Sequence, residues 1–156
     1  MKKYIFLPHT ADVKFQASGK TIEEAFENSA LALKERMCNA KIKAKIEKKI
    51  EISGRDFENL LYNFLEEFLY LLDAEDFITS KIKSIKISKF KLKAIVVGDK
   101  ASNYKFSNDV KAITYNEMFV KNTKNLPANF GATKSKKAND FVGEKNKYTT
   151  QVVLDV

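Results

Sequence analysis

The chain is poor in the side chains that most often build metal and nucleophilic sites. Its 156 residues include one cysteine, one histidine, two prolines, five glycines and no tryptophan. The single cysteine, Cys38, excludes an intramolecular disulfide. Together with the single histidine, His9, it also excludes a zinc site of four cysteines or of paired cysteines and histidines. Any functional site must therefore rely mainly on other residue types.

Lysine carries almost all of the positive charge. The chain has 28 basic and 20 acidic residues, a formal net charge of +8, and its only arginines are Arg36 and Arg55. Because arginine is preferred for bidentate contacts to bases, this bias weakens an interpretation based on reading a nucleic-acid sequence. The hydrophobic fraction of 44% excludes a disordered linker. The length fits one domain, residues 1–156.

No segment of the sequence resembles a membrane span or an export signal. No stretch approaches the roughly 18 apolar residues that a span needs. The apolar run at the N-terminus stops at Pro8, which is too early for a signal peptide. We therefore expect a cytoplasmic protein without a membrane partner.

Apolar periodicity predicts an α+β fold. A short apolar run predicts a first strand from Tyr4 to Leu7, which Pro8 ends. Period-2 alternation predicts further strands from Val13, over Ile42 to Ile52, around Ile85 to Val96, from Val110, and from Tyr148 to Val156. Two 3.6-period segments predict helices that begin after Thr21 and Asp56. A change of phase near Ser88 predicts a reversal or bulge, and Gly98 with Asp99 predicts a strand end. The order favours two layers, a mostly antiparallel sheet with both helices packed on one side.

One long segment lacks a periodic pattern. Residues 121–147 contain seven lysines against two acidic residues, a local net charge of +5. Structureless connections longer than about 12–15 residues are uncommon in compact domains. We predict a lysine-rich surface excursion.

Carboxylates at the two ends of the chain form the first candidate site. Asp12 precedes a predicted strand, while Asp155 and the Val156 terminal carboxylate end the last one. If these strands pair, three carboxylates meet, and they repel one another unless a cation balances them. Oxygen ligands favour a hard cation such as Ca²⁺, Mg²⁺ or Mn²⁺. The structural alternative for Asp12 is an Asx turn.

His9 and Lys111 are further candidates. His9 lies between the first two predicted strands, in a loop that a rigid support can expose. Its structural alternative is a histidine bonded to a nearby backbone carbonyl. Lys111 starts a strand, and its alternative is a lysine that faces water. The sequence has no glycine-rich phosphate loop and no serine nucleophile elbow.

Five segments, spread in order over the whole chain, resemble the archease family. They are His9-Thr10-Ala11-Asp12, the Gly-x-Thr-x-Glu-Glu-x-Phe string from Gly19 to Phe26, the helix from Leu60 to Asp73, Val110-Lys111-Ala112-Ile113-Thr114-Tyr115, and Val153-Leu154-Asp155-Val156. The chain departs from the family pattern at Asp99, where glutamate is common, and at Asn116, where histidine is common.

The resemblance implies a non-enzymatic accessory protein of the RtcB-type tRNA-splicing RNA ligase. Such a protein promotes guanylylation and multiple turnover of the ligase, and its own contact with RNA is expected to be indirect or weak. The resemblance implies a divalent cation bound by Asp12, Asp155 and the Val156 terminal carboxylate, with Ca²⁺ the favoured ion and Mg²⁺ or Mn²⁺ the alternatives. Lys111 would act at the same surface, and His9 would support the site or its loop.

The residues also fit two alternative functions from other classes. One is a small metal-dependent phosphohydrolase in which Asp12 and Asp155 hold the metal and His9 is the general base. The other is a basic RNA-binding module that uses the sheet face and the lysine-rich segment.

Overall fold

A computed structural model describes residues 3–106, 108–122 and 148–156. The predicted lysine-rich excursion therefore lies almost entirely outside the described residues, and its first two residues, Lys121 and Asn122, belong to a strand. In chain order the elements are β1 (Tyr4–Leu7), β2 (Val13–Gly19), α1 (Ile22–Met37), β3 (Ile46–Ser53), α2 (Phe57–Glu75), β4 (Phe77–Ser88), β5 (Lys91–Lys100), β6 (Ala112–Asn122) and β7 (Tyr148–Asp155).

Both helices begin at the capping residues that the sequence predicts. The Thr21 hydroxyl accepts a hydrogen bond from the Glu24 backbone N–H at 3.1 Å. The Asp56 carboxylate accepts one from the Asn59 N–H at 2.7 Å. Such caps satisfy backbone donors that a helix cannot pair internally, and each contributes about 1 kcal/mol.

The strands form two antiparallel sheets. The four-stranded sheet has the order β1-β2-β7-β6, and the three-stranded sheet has the order β3-β5-β4. Every strand pair is antiparallel. The α+β class is confirmed, and the described strands divide into two sheets where the sequence predicts one.

The hairpin between β4 and β5 confirms the predicted reversal. Lys89 and Phe90 both have positive φ, 51° and 59°. Two consecutive residues in this region match the twist of the flanking strands, as in a type I′ turn. The predicted strand end at Gly98 is wrong, because β5 continues to Lys100, and Asp99 and Lys100 still pair with Ile78 and Phe77 of β4. The predicted strand from Ile42 begins only at Ile46.

The apolar faces of the helices and sheets meet in one core. Phe15 from the four-stranded sheet, Leu92 from the three-stranded sheet and Phe64 from α2 are each fully buried. Phe26 of α1 stacks on Phe64 with ring centroids 6.2 Å apart. No helix in the described part of the chain is long and apolar enough to cross a membrane.

Candidate functional site

The end of β7 lies between β2 and β6, and this position assembles the candidate site. Val13 is paired with Leu154, so Asp12 and Asp155 are the next residues beyond that pair. On the other side, Ala112 is paired with Asp155, and the Lys111 N–H donates to the Asp155 carbonyl at 2.8 Å. The strand pairing that the carboxylate hypothesis requires is therefore present, and Asp12, Asp155 and Lys111 share one sheet edge.

His9 connects the loop before β2 to a residue of β6. Its Nε2 lies 2.8 Å from a Glu117 carboxylate oxygen, and its Nδ1 lies 4.0 Å from an Asp12 carboxylate oxygen. The Lys14 ammonium is 3.4 Å from the other Glu117 oxygen. The hydrogen bond from His9, followed by the charge of Lys14, lowers the pKa of Glu117. His9 thus links the loop that contains Asp12 to β6 through the Glu117 side chain. The structural alternative, a bond from His9 to a nearby backbone carbonyl, is not the contact that this bond makes.

A large bulge in β6 brings Glu117 to this position. Thr114 is paired with Val153 and Phe119 with Gln151, so four residues of β6 oppose one residue of β7. Glu117 itself has a positive φ of 55°. The buried Gln151 side chain donates to the Glu117 carbonyl at 2.8 Å and so anchors the bulge. Glu117 is not among the candidates that the sequence provides, because neither spacing nor a local motif connects it to His9.

The donor chemistry of this edge suits a hard cation. Asp12 and Asp155 supply carboxylate oxygens, and Val156 follows Asp155 directly. Within residues 3–106, 108–122 and 148–156, no three His, Cys, Asp or Glu side chains are grouped closely enough to hold a metal ion. The side chains alone therefore make an incomplete ligand set, and an ion here would need further oxygen ligands such as water or phosphate.

Asp99 has a structural role away from this edge. It is buried and accepts hydrogen bonds from the Tyr104 hydroxyl at 2.7 Å and from the Lys100 N–H at 2.8 Å. These bonds, the one from Tyr104 first, lower the pKa of Asp99. Cys38 is also buried, with its thiol 3.4 Å from the Lys105 carbonyl oxygen. Neither residue joins the candidate site.

The fold and the site together define a small α+β protein with a polar, carboxylate-bearing edge on its four-stranded sheet. The family model described as "Archease protein family (MTH1598/TM1083)" matches residues 4–156. The chain belongs to the archease family.

Individual relatives agree with the family match. The "Protein archease" of Pyrococcus furiosus is 42% identical over 127 residues, which cover 77% of this chain and 89% of the relative. That of Methanosarcina mazei is 35% identical over 129 residues, covering 78% and 88% respectively. The solution structure of Methanobacterium thermoautotrophicum protein 1598 is similar over 100% of both chains, with a TM-score of 0.74 and 28% identity.

Proposed function

We propose that this protein is a cytoplasmic accessory factor that activates an RtcB-type tRNA-splicing RNA ligase. In this proposal it promotes guanylylation of the ligase and its multiple turnover, and it is not itself a catalyst. Family membership supports the class of function. The β2-β7-β6 strand order supports a shared site, because Asp12, Asp155 and Lys111 lie at the same end of these three strands.

The residues of this edge have two roles: the carboxylates would bind a divalent ion, and a lysine lies beside them. Asp12, Asp155 and the Val156 terminal carboxylate would hold a divalent ion, Ca²⁺ first, with Mg²⁺ or Mn²⁺ as alternatives. When bound, the ion supplies positive charge that offsets the carboxylates and attracts phosphate oxygens. Lys111 adds a second positive charge beside Asp155 and orients phosphate groups at the ligase interface. His9 holds the Asp12 loop in place through Glu117.

The proposal is tested by a ligation time course at limiting ligase. The reactions contain no addition, the wild-type protein, Asp12→Ala, or Asp73→Ala. Asp73 is an exposed aspartate on α2 and is the matched control, because it loses the same charge away from the site. We expect stimulation by the wild type and by Asp73→Ala, and none by Asp12→Ala.

Cation binding is measured separately from ligation. A ligand at 100 times its Kd stabilises the folded state by about 2.7 kcal/mol, so CaCl₂ should raise the Tm of the wild type and not that of Asp12→Ala. Full stimulation by Asp12→Ala would remove the cation site from the mechanism. Metal-dependent nucleotide hydrolysis by the isolated protein would replace the accessory role with the phosphohydrolase alternative.

A further inference from the structure

The outer face of the three-stranded sheet carries a cluster of exposed lysines. We call it the lysine face. It consists of Lys49, Lys81, Lys83, Lys86, Lys91 and Lys93 together with Glu47 and Glu51, all of them exposed. Six lysines against two glutamates leave a net charge of +4, half of the +8 of the whole chain. The opposite face of the same sheet packs its isoleucines and Leu92 against the core.

The lysines are placed where they repel one another. Lys86 lies directly opposite Lys93 in the β4–β5 register. Like charges at such positions destabilise a sheet. Two lysines have a compensating glutamate: Lys83 lies 3.4 Å from Glu47, and Lys93 lies 3.9 Å from Glu51. Lys49 and Lys86 make no ion pair within the described ranges. The face therefore retains uncompensated positive charge that a bound anion would neutralise.

A β-bulge adds one lysine to this face without disturbing the core. Ile82 is paired with Val96 and Ser84 with Ile95, so Lys83 is the extra residue between them. The bulge lets both Lys83 and Ser84 face outward, while Ile82 remains buried. Bulges re-aim side chains in this way and are frequent next to functional sites. Without the bulge, strict alternation along β4 would turn either Ile82 or the isoleucines after it toward solvent, because Ile82 and Ile85 are three residues apart.

Two shallow hollows run along the lysine face. The larger, of about 520 Å³, is lined by Lys49, Lys86, Lys93 and Glu51 around the half-buried Ile95. The second, of about 320 Å³, is lined by Lys81, Lys83 and Glu47 beside Val97, and Lys45, just before β3, adds a further lysine there. An extended ligand can thus follow the sheet with lysines on both sides of an apolar floor.

We propose that the lysine face binds the phosphodiester backbone of RNA without reading its sequence. Alternate residues of a strand lie about 6.6–6.8 Å apart and neighbouring strands about 4.8 Å apart, so the lysines form a grid of point charges, which the bulge at Lys83 and the two glutamates interrupt. Lysine contacts phosphate as a point charge, whereas base reading favours the arginine fork. The proposal extends the proposed function, because it has the accessory protein contact the RNA directly while the ligase acts on it.

A regular, extended polyanion fits this grid better than an acidic protein surface does. Acidic side chains on a folded partner come singly and interspersed with basic ones, and Glu47 and Glu51 would repel them. A nucleic-acid strand presents a phosphate at every nucleotide, and a flexible strand can pass beside the two glutamates. The binding strength expected from phosphate contacts alone is a Kd of about 10⁻⁴–10⁻⁶ M at physiological salt.

The test measures fluorescence anisotropy of a labelled single-stranded RNA of mixed sequence, titrated with the full chain in the absence of ligase. One variant combines Lys49→Gln, Lys86→Gln and Lys93→Gln, which surround the larger hollow. The matched control combines Lys20→Gln, Lys100→Gln and Lys105→Gln, which are exposed lysines outside the lysine face. Both variants lose the same charge, and circular dichroism establishes that both are folded.

We expect the first variant to bind RNA roughly tenfold or more weakly, while the control stays near the wild type. For single strands the slope of log K against log salt is about −0.7 per phosphate contact, so losing three contacts reduces it by about 2. Replacing the same three lysines by arginine should preserve binding. A polyglutamate peptide of equal charge should bind less tightly than the RNA.

Equal RNA binding by the two glutamine variants would overturn the proposal. So would a wild type that binds polyglutamate and not RNA, which would assign the face to an acidic protein partner. Because no ligase is present, the result is independent of the proposed function. Asp12→Ala should bind RNA like the wild type, and the lysine variant should keep its Ca²⁺-dependent rise in Tm.

Discussion

Two buried glutamines join the centre of the four-stranded sheet to the β6 bulge, and they offer a sharp test of this packing. Gln16 and Gln151 are 2% and 8% exposed. The Gln16 amide nitrogen donates to the Gln151 side-chain oxygen at 2.9 Å, and the Gln151 nitrogen donates to the Glu117 carbonyl at 2.8 Å. We consider the substitution Gln151→Leu, which keeps the size of the side chain and removes both bonds.

The expected loss of stability follows from the two bonds. The lost hydrogen bond to the Glu117 carbonyl contributes about 0.5–1.5 kcal/mol, and the Gln16 amide left buried without a partner costs about 1–3 kcal/mol. Gln151→Leu should therefore lower the free energy of unfolding by about 2–4 kcal/mol. Adding Gln16→Leu removes the orphaned amide, so the double variant should regain about 1–3 kcal/mol relative to Gln151→Leu alone.

Urea unfolding followed by circular dichroism measures these differences, with the free energy extrapolated linearly to water. The control is Thr149→Val in the same strand. The Thr149 hydroxyl is buried with no hydrogen-bond partner, so its removal should not destabilise the protein. If the double variant loses the sum of the two single losses, the glutamines are not coupled and the reasoning is refuted.

Two further predictions concern β5. A Cβ at Gly98 would lie 2.0 Å from the Ile78 carbonyl oxygen. Gly98→Ala should therefore lower the free energy of unfolding by about 3 kcal/mol or more, measured by the same urea assay. A Gly98→Ala variant as stable as the wild type would contradict this close approach of the strands. Folding lowers the pKa of Asp99. Its ionised carboxylate therefore stabilises the protein at pH values above the unfolded-state pKa of about 3.9. This contribution disappears as the pH falls through the lower pKa of the folded state. The difference in Tm between wild type and Asp99→Asn should therefore shrink between about pH 6 and pH 2, and a difference independent of pH would exclude this role.

The site combines features that a single sequence reveals with features that it hides. Asp12 and Asp155 were predictable as neighbours, because both stand at the ends of strongly alternating segments and antiparallel pairing of those segments brings the ends together. The family resemblance pointed to the same residues and to Lys111. Glu117 was not predictable, because its contact with His9 spans 108 residues and depends on a bulge.

Local physics explains what the sequence by itself determined. The caps at Thr21 and Asp56 are set by side chains that bond to backbone groups three residues away. The reversal at Lys89 follows from a change of apolar phase that a straight strand could not accommodate without exposing its apolar face to water. These signals act over a few residues, so they appear in the sequence directly.

Only the tertiary structure decided how the strands were shared between two sheets and which polar groups were buried. The alternation of β3 and β7 is the same kind of pattern, and nothing local assigns one to the three-stranded sheet and the other to the four-stranded sheet. Gln16 and Gln151 are polar residues of alternating strands, and both are buried in contact with each other. Their burial depends on a pairing across 135 residues. Strand order, bulge position and polar burial come from long-range pairing, which periodicity along the chain does not encode.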